Sequence, residues 1–232
     1  VLCEKAIASN LREFDAMART AAERGVLLME AMKTTVNPNF LALREHLSSI
    51  GTVRRYVASY CQYSSRYDDF RRGVVQNAFD PAMSTGALMD IGVYTIAPMV
   101  ALFGPPRSVH GRSTLLHNGI DGQGSIMFEY EDMEALVTYS KISASAMASE
   151  IQGEDGTIRI PSINLMDRFD LDLRGAASRT VNLAQDHGDM FWELNEFIRC
   201  IHECKAESTL NSLGLSREVM SIMEEVRRQT GI

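Results

Sequence analysis

Cysteine is scarce in this sequence: Cys3, Cys61, Cys200 and Cys204 are the four in 232 residues. That is too thin a scatter for a disulfide framework in a chain of this length, which excludes the small stapled folds and leads us to expect a reducing cytoplasm. Positive charge is in the minority, with 23 Lys and Arg against 30 Asp and Glu and a formal charge of -7. The basic footprint that phosphate-backbone binding needs is missing, so nucleic acid is not an expected partner. Gly, Pro or charge interrupts every apolar run short of the roughly 20 residues that span a bilayer, and no targeting pattern is visible, so no membrane partner is expected. Repeats and low-complexity segments are lacking as well. What is there is 45% hydrophobic and 23% charged, enough to bury the core of one large domain, or of one plus a smaller piece.

The opening VLCEKAIASN runs apolar through Val1-Leu2-Cys3 and ends on the charged pair Glu4-Lys5. It reads as a strand. Asn10 then stands as an N-cap with Glu13 in capping-box spacing, Leu11, Phe14, Met17, Ala18 and Ala21 recur at helical spacing, and Gly25 falls where a left-handed C-cap belongs. Residues 26–31 are again strand-like. Two apolar strands joined by one crossover helix make a parallel pair, buried on both faces in α/β proteins. Such a unit cannot bury itself alone, so residues 1–36 are expected to be the last βαβ unit of a larger parallel sheet.

Beyond it, Pro38 opens a helix that Gly51 closes, residues 52–64 read as a strand, RYDDFRRGVVQNAFDP as a polar loop, and residues 86–103 as a helix. From 108 to 183 the period is mostly two, in SVHGRSTLL, SIMFEYE, EALVTYSK, TIRI, RFDLDLR and RTVNL, and helices over 190–204 and 216–230 close the chain. The expected fold is therefore α+β: an open, mostly antiparallel sheet covered by helices over residues 37–232, plus the βαβ unit.

TGALMDIGVY, residues 85–94, is the strongest chemical cluster. Asp90 and Tyr94 are four apart on a helix and share a face, and a carboxylate beside a phenol can act as an acid/base unit. Lys5 lies just past the carboxyl end of a parallel strand, where open α/β sheets bind ligands. Glu4 could pair with it, and its ammonium near Tyr94 is expected to lower the phenol pKa. GIDGQG, residues 119–124, reverses the dinucleotide fingerprint and lies between strands, so it reads as a hairpin turn. In CIHEC, Cys200 and Cys204 share a helix face while His202 points elsewhere, and no metal is expected there. The 86–103 helix carries Pro98, which should deprive the Tyr94 carbonyl of its helical partner and bend the helix.

CEKA at 3–6 resembles the Glu-Lys-Pro motif of the glucose-fructose oxidoreductase, inositol dehydrogenase and rhizopine-catabolism (Gfo/Idh/MocA) family, and TGALMDIGVY resembles that family's Gly-Gly-x-Leu-x-Asp-x-Gly-x-His/Tyr segment. EDGTIRI, residues 154–160, is similar to its Gly-Thr-Ile hairpin. The resemblance covers essentially the whole chain. It implies an NAD- or NADP-dependent oxidoreductase acting on a sugar, polyol or dihydrodiol, with residues 1–36 the end of a Rossmann domain and 37–232 the substrate-binding and assembly domain. By the same resemblance Lys5 is the catalytic lysine, Asp90 its support and Tyr94 the acid/base residue. Glu4 and Lys5 are expected to face the cofactor, and Tyr67, Arg72 and Asn77 of the polar loop to donate hydrogen bonds to the substrate. Three positions depart from the family pattern: Ala6 for proline, Thr85 for the first glycine, and Pro98 within the helix.

The rival expectation is a binding or regulatory relative that keeps the fold without turnover, with Ala6 and Thr85 as its support. Because non-proline cis bonds cost about 2.5–4 kcal/mol, Lys5-Ala6 is expected to be trans. The sheet, covered on one face only and carrying Ile126 and Phe128 on one side of a strand and Met127 on the other, is expected to pair with a second copy as a homodimer.

Overall fold

A computed structural model describes residues 1–183 and 186–232. Strand β1 (Leu2–Glu4), helix α1 (Leu11–Arg24) and strand β2 (Met29–Ala31) form the expected βαβ unit, with β1 and β2 parallel and Cys3 opposite Glu30. Helix α1 starts where the Asn10 side chain accepts the Glu13 N–H at 3.0 Å and stops where Gly25 turns left-handed at φ 60. The capping box is not reciprocal, because the Glu13 carboxylate takes the Ser9 hydroxyl instead.

Helix α2 (Pro38–His46) begins behind Asn37, whose side chain accepts the Asn39 N–H at 2.8 Å. A 3-10 turn, Leu47–Ile50, leads from it into β3 (Val53–Cys61). The polar loop proves to contain a short helix, α3 (Ser65–Arg71), because Ser64 caps it and Arg71 and Arg72 pair back with Asp68 and Asp69 one turn earlier. A π-helical turn, Leu88–Gly92, then runs directly into α4 (Val93–Phe103), so the expected single helix over 86–103 has a widened first turn.

Strands β4 (Ser108–Leu115), β5 (Asp121–Glu129), β6 (Glu134–Ser140), β7 (Ser149–Gly153), β8 (Gly156–Ile160), β9 (Phe169–Leu173) and β10 (Arg179–Val181) join β3 in one eight-stranded sheet. Its order is β10-β9-β8-β7-β3-β6-β5-β4, antiparallel throughout except for β3 beside β6. Residues 119–124 sit at the β4–β5 hairpin, as expected, with Gly119 at φ 86 in the turn. Helices α5 (Phe191–His202) and α6 (Leu213–Thr230) close the chain.

Helices α4 and α6 pack on one face of the sheet and on each other, α1 packs on α6, and α5 on β2. Ile126, Phe128, Val137 and Tyr139 are buried beneath those helices, at roughly 1.5–3 kcal/mol for each large apolar side chain. On the opposite face, Met127 and Leu136 face each other across β5 and β6 and remain 41% and 38% exposed. The strongly apolar side of β5 is therefore spent on the core, and the open face is less apolar than the alternation alone suggests. Pro81–Phe103 is long and apolar enough to cross a membrane, yet 72% of its apolar window is buried in the fold, as a core helix would be.

Candidate active site

Lys5 follows β1 at the strand's carboxyl end, and Glu30 of β2 anchors the backbone beyond it. The Glu30 carboxylate, 4% exposed, accepts the Ile7 N–H at 3.1 Å, and burial pushes its pKa up. The Lys5-Ala6 peptide is cis, contrary to the expectation of trans. From this position the Lys5 ammonium reaches the π-helical turn. It donates to Asp90 Oδ1 at 2.9 Å and also to the Asp90 carbonyl oxygen. Glu4 is exposed, and the pairing of Glu4 with Lys5 gives way to the Lys5–Asp90 pair.

The other carboxylate oxygen of Asp90 belongs to a residue that sequence reasoning missed. Lys141, just past the end of β6 and 3% exposed, donates to Asp90 Oδ2 at 2.7 Å and to the Ala78 carbonyl at 3.1 Å, with its ammonium 4.9 Å from the centre of the Phe79 ring. Asp90 is thus clamped between two ammoniums. Partial burial raises its pKa, and the charges of Lys5 and Lys141 with their hydrogen bonds more than reverse that, leaving it below the usual carboxylate range.

The π-helical turn sits where it does because of Asp121 at the start of β5. Its buried carboxylate accepts the Leu88 N–H at 2.7 Å, and burial pushes its pKa up to about 6. A β-carbon on Gly86, at φ 125, would stand 2.0 Å from Asp121 Oδ1, so this second glycine of the motif cannot be replaced without displacing the cap. Thr85, in place of the first glycine, donates its hydroxyl to the carbonyls of Asn77 and Asp80 at 2.9 and 3.2 Å and ties the preceding segment down.

Tyr94 lies on the first turn of α4. The Lys5 ammonium is 5.0 Å from its ring centre, Lys33 approaches the same ring at 5.7 Å, and Tyr60 meets it edge-on at 5.8 Å. Among the described residues nothing hydrogen-bonds its hydroxyl. The expectation that Lys5 lowers the phenol pKa is wrong. Burial raises it well above the ordinary value, and Tyr60, Glu193, Glu4 and Asp90 push the same way. The physical reason is that Lys5 spends its charge on Asp90 while carboxylates surround the ring. A phenol held protonated is an acid, suited to donating to an oxygen that gains electron density.

The three polar-loop residues go elsewhere. Tyr67 stacks on Phe70 and tilts against Phe79, Arg72 pairs with Asp69, and the Asn77 carbonyl receives Thr85. Among the described residues, none of them hydrogen-bonds Lys5, Asp90 or Tyr94. No group of three His, Cys, Asp or Glu among the described residues is arranged to hold a metal, and of the CIHEC thiols Cys200 is buried while Cys204 is exposed.

Beside the Lys5–Asp90 pair an open crevice of about 180 Å³ is lined by Ala6, Ala8, Ser9, Met83, Ser84, Thr85 and Met89. It lies at the carboxyl end of β1, where parallel sheets hold their ligands, and its wall offers the Lys5 ammonium and the Ser84 hydroxyl, the Ser9 and Thr85 hydroxyls being spent on Glu13 and on the carbonyls of Asn77 and Asp80. Those donors and the strand end fit the nicotinamide end of a dinucleotide next to a small alcohol.

The chain resembles known proteins over its whole length. The sequence description "GFO/IDH/MocA C-terminal domain" matches residues 40–159. The whole chain is 50% identical to 71% of the scyllo-inositol 2-dehydrogenase (NADP(+)) IolU of Bacillus subtilis (strain 168), and 40% identical to 70% of the uncharacterized oxidoreductase YgjR of Escherichia coli (strain K12). Its fold superposes on the crystal structure of an aldose-aldose oxidoreductase from Caulobacter crescentus with a TM-score of 0.85 at 16% identity, covering 100% of this chain and 70% of the other. With its motifs, its eight-stranded sheet and these matches, the chain belongs to the GFO/IDH/MocA family of NAD(P)-dependent oxidoreductases.

Proposed function

We propose that this chain carries the substrate side of a dehydrogenase for a cyclic polyol of the inositol class, using NADP, and that Lys5, Asp90 and Tyr94 handle the reacting oxygen. The observation that carries the reading is the clamp on Asp90: one carboxylate fixes the Lys5 ammonium beside a phenol whose hydroxyl no side chain among the described residues engages. A bound nicotinamide supplies or accepts the hydride at the substrate carbon.

The protein's own residues do the rest. Lys5 donates a hydrogen bond to the reacting oxygen and stabilises negative charge there. Tyr94, kept protonated by burial, gives its proton to that oxygen when a ketone is reduced; in the oxidising direction it takes the hydroxyl proton only after its own has passed to water. Asp90 orients Lys5, and Lys141 holds Asp90 ionised and in place. Glu4 stands with Lys5 toward the cofactor. Residues 1–36 are the end of the dinucleotide-binding unit and 37–232 the substrate and assembly domain. A cytoplasmic homodimer closing over the open face of the sheet completes the reading, with Met127 and Leu136 at its centre.

The test is turnover by the purified holoenzyme. Nicotinamide absorbance is followed with scyllo-inositol, myo-inositol, glucose and a dihydrodiol, each with NADP and with NAD. The reading expects the highest kcat/KM with an inositol and NADP. A holoenzyme that binds the dinucleotide and oxidises none of the polyols would overturn it and favour the non-catalytic binding reading.

A further inference from the structure

A second charged group that acts on Tyr94 has no part in the mechanism. Glu193 is on the first turn of α5, the helix that packs on β2, and is 4% exposed. Its Oε2 is fully buried and has no hydrogen-bond partner among the described residues. Buried carboxylate oxygens without a donor are costly and uncommon, so this one needs a reason.

Its surroundings supply one. The charges that act on Glu193 are Glu4 at the end of β1, Lys33 just after β2 and Asp189 just before α5, and Glu193 in turn acts on Tyr94 of α4. Lys33 pairs with Asp189 and holds its ammonium 5.7 Å from the Tyr94 ring centre, while Lys5 approaches the same ring at 5.0 Å. Two ammonium–carboxylate pairs therefore bring their ammoniums to one phenol, Lys5–Asp90 and Lys33–Asp189, and Glu193, which carries the orphaned oxygen, feels the charges of the second pair.

We propose that Glu193 and Lys33 form a hydroxyl-recognition subsite, in which Glu193 Oε2 accepts a hydrogen bond from a substrate hydroxyl other than the reacting one and Lys33 donates to a neighbouring oxygen. The inference rests on the polyol reading above and adds to it that the substrate carries at least one further hydroxyl close to the reacting carbon. A bare secondary alcohol would leave Oε2 as unsatisfied as it is now. A vicinal polyol satisfies it. Burial first, then Glu4 and Asp189, push the Glu193 pKa up to about 7 against the opposing pull of Lys33, so near neutral pH the group can act as acceptor or donor to a hydroxyl.

The test compares substrates and variants in the holoenzyme. For the unmodified enzyme, one of the deoxyinositols lacking a hydroxyl near the reacting carbon should lose about 10–100-fold in kcat/KM relative to the parent inositol, the worth of one hydrogen bond to a charged group. Glu193→Ala should lose a similar factor on the parent, mainly through KM, and discriminate between parent and that deoxyinositol by no more than about threefold. Glu193→Gln, which keeps the shape of the side chain and an acceptor oxygen, should fold like the parent and fall between the two. Lys33→Met should weaken discrimination at a neighbouring hydroxyl position. If both Glu193 variants lose the same factor on parent and deoxy substrates, Glu193 acts only through the fold and the inference is overturned while the polyol reading stands. If the unmodified enzyme turns over no polyol, that reading fails and takes the inference with it.

Discussion

Replacing Lys141 with Met should loosen the clamp on Asp90 and cost the fold about 1–3 kcal/mol. The figure follows from the contacts removed. Lys141 gives one charge-assisted bond to Asp90 Oδ2 at 2.7 Å and one to the Ala78 carbonyl at 3.1 Å, and Met fills the volume but supplies neither. A bond to a charged group is worth roughly 1.5–3 kcal/mol, but the Asp90 side chain is 39% exposed and keeps Lys5, so water and the remaining ammonium recover part of it. For a chain of this size each kcal/mol moves Tm by about 2–4 °C, so a drop of roughly 2–12 °C is expected near neutral pH. The pH dependence makes the test specific. The folded Asp90 pKa lies below its ordinary 3.8, so its contribution is present above that value and is lost as pH falls through the folded one. Lys141→Met raises the folded pKa and removes part of this contribution. Melts of both proteins between about pH 3 and pH 8 should therefore show a gap that is widest above about pH 5 and narrows toward acid. A gap independent of pH, or one under about 0.5 kcal/mol, would refute the account of Lys141 as the second half of the clamp.

Asp121 titrates in the opposite sense. Its folded pKa is raised to about 6, so the stability it contributes is full below its ordinary 3.8 and lost as pH rises through about 6, at most roughly 3 kcal/mol. Asp121→Asn should flatten the difference in unfolding free energy between about pH 4 and pH 7, and urea titrations at the two pH values check it. On the open face of the sheet, Leu136→Glu should leave Tm within a few degrees and shift the sedimenting species toward monomer. Phe128→Glu, buried beneath the helices, should instead unfold the chain, and a folded, monomeric Phe128→Glu protein would contradict the assignment of faces.

Much of this arrangement was legible in the sequence where a local rule and a long-range one agreed. Asn10, Glu13 and Gly25 marked the ends of α1, and Lys5 and Asp90, 85 residues apart, meet as their motifs implied. What stayed hidden was set by tertiary contacts. Lys141 ends EALVTYSK and looks like the solvated terminus of a strand; only the return of β6 beside β3 carries it under Asp90. Glu193 sits in an amphipathic helix as an ordinary acidic residue, and its burial depends on the docking of α5 against β2. The π-helical turn has no sequence period of its own and follows from Asp121 capping Leu88 next to a glycine that leaves room for it. Helix α3 shows no apolar stripe in the sequence, because its stability comes from Ser64 and from ion pairs one turn apart. The sign of the Tyr94 shift is tertiary in the same way: burial and three carboxylates outweigh the lysine that the motif places beside it.

The most direct test of the central claim is the rate of the Tyr94→Phe holoenzyme with an inositol and NADP, measured beside its affinity for NADP. Removing only the hydroxyl leaves the packing against Tyr60 and the two lysines in place, so folding and NADP binding should be unchanged, while kcat falls by about 10²–10⁴-fold, the usual worth of a positioned proton donor. A Tyr94→Phe enzyme that retains kcat within about threefold of the parent would contradict the assignment of proton transfer to Tyr94.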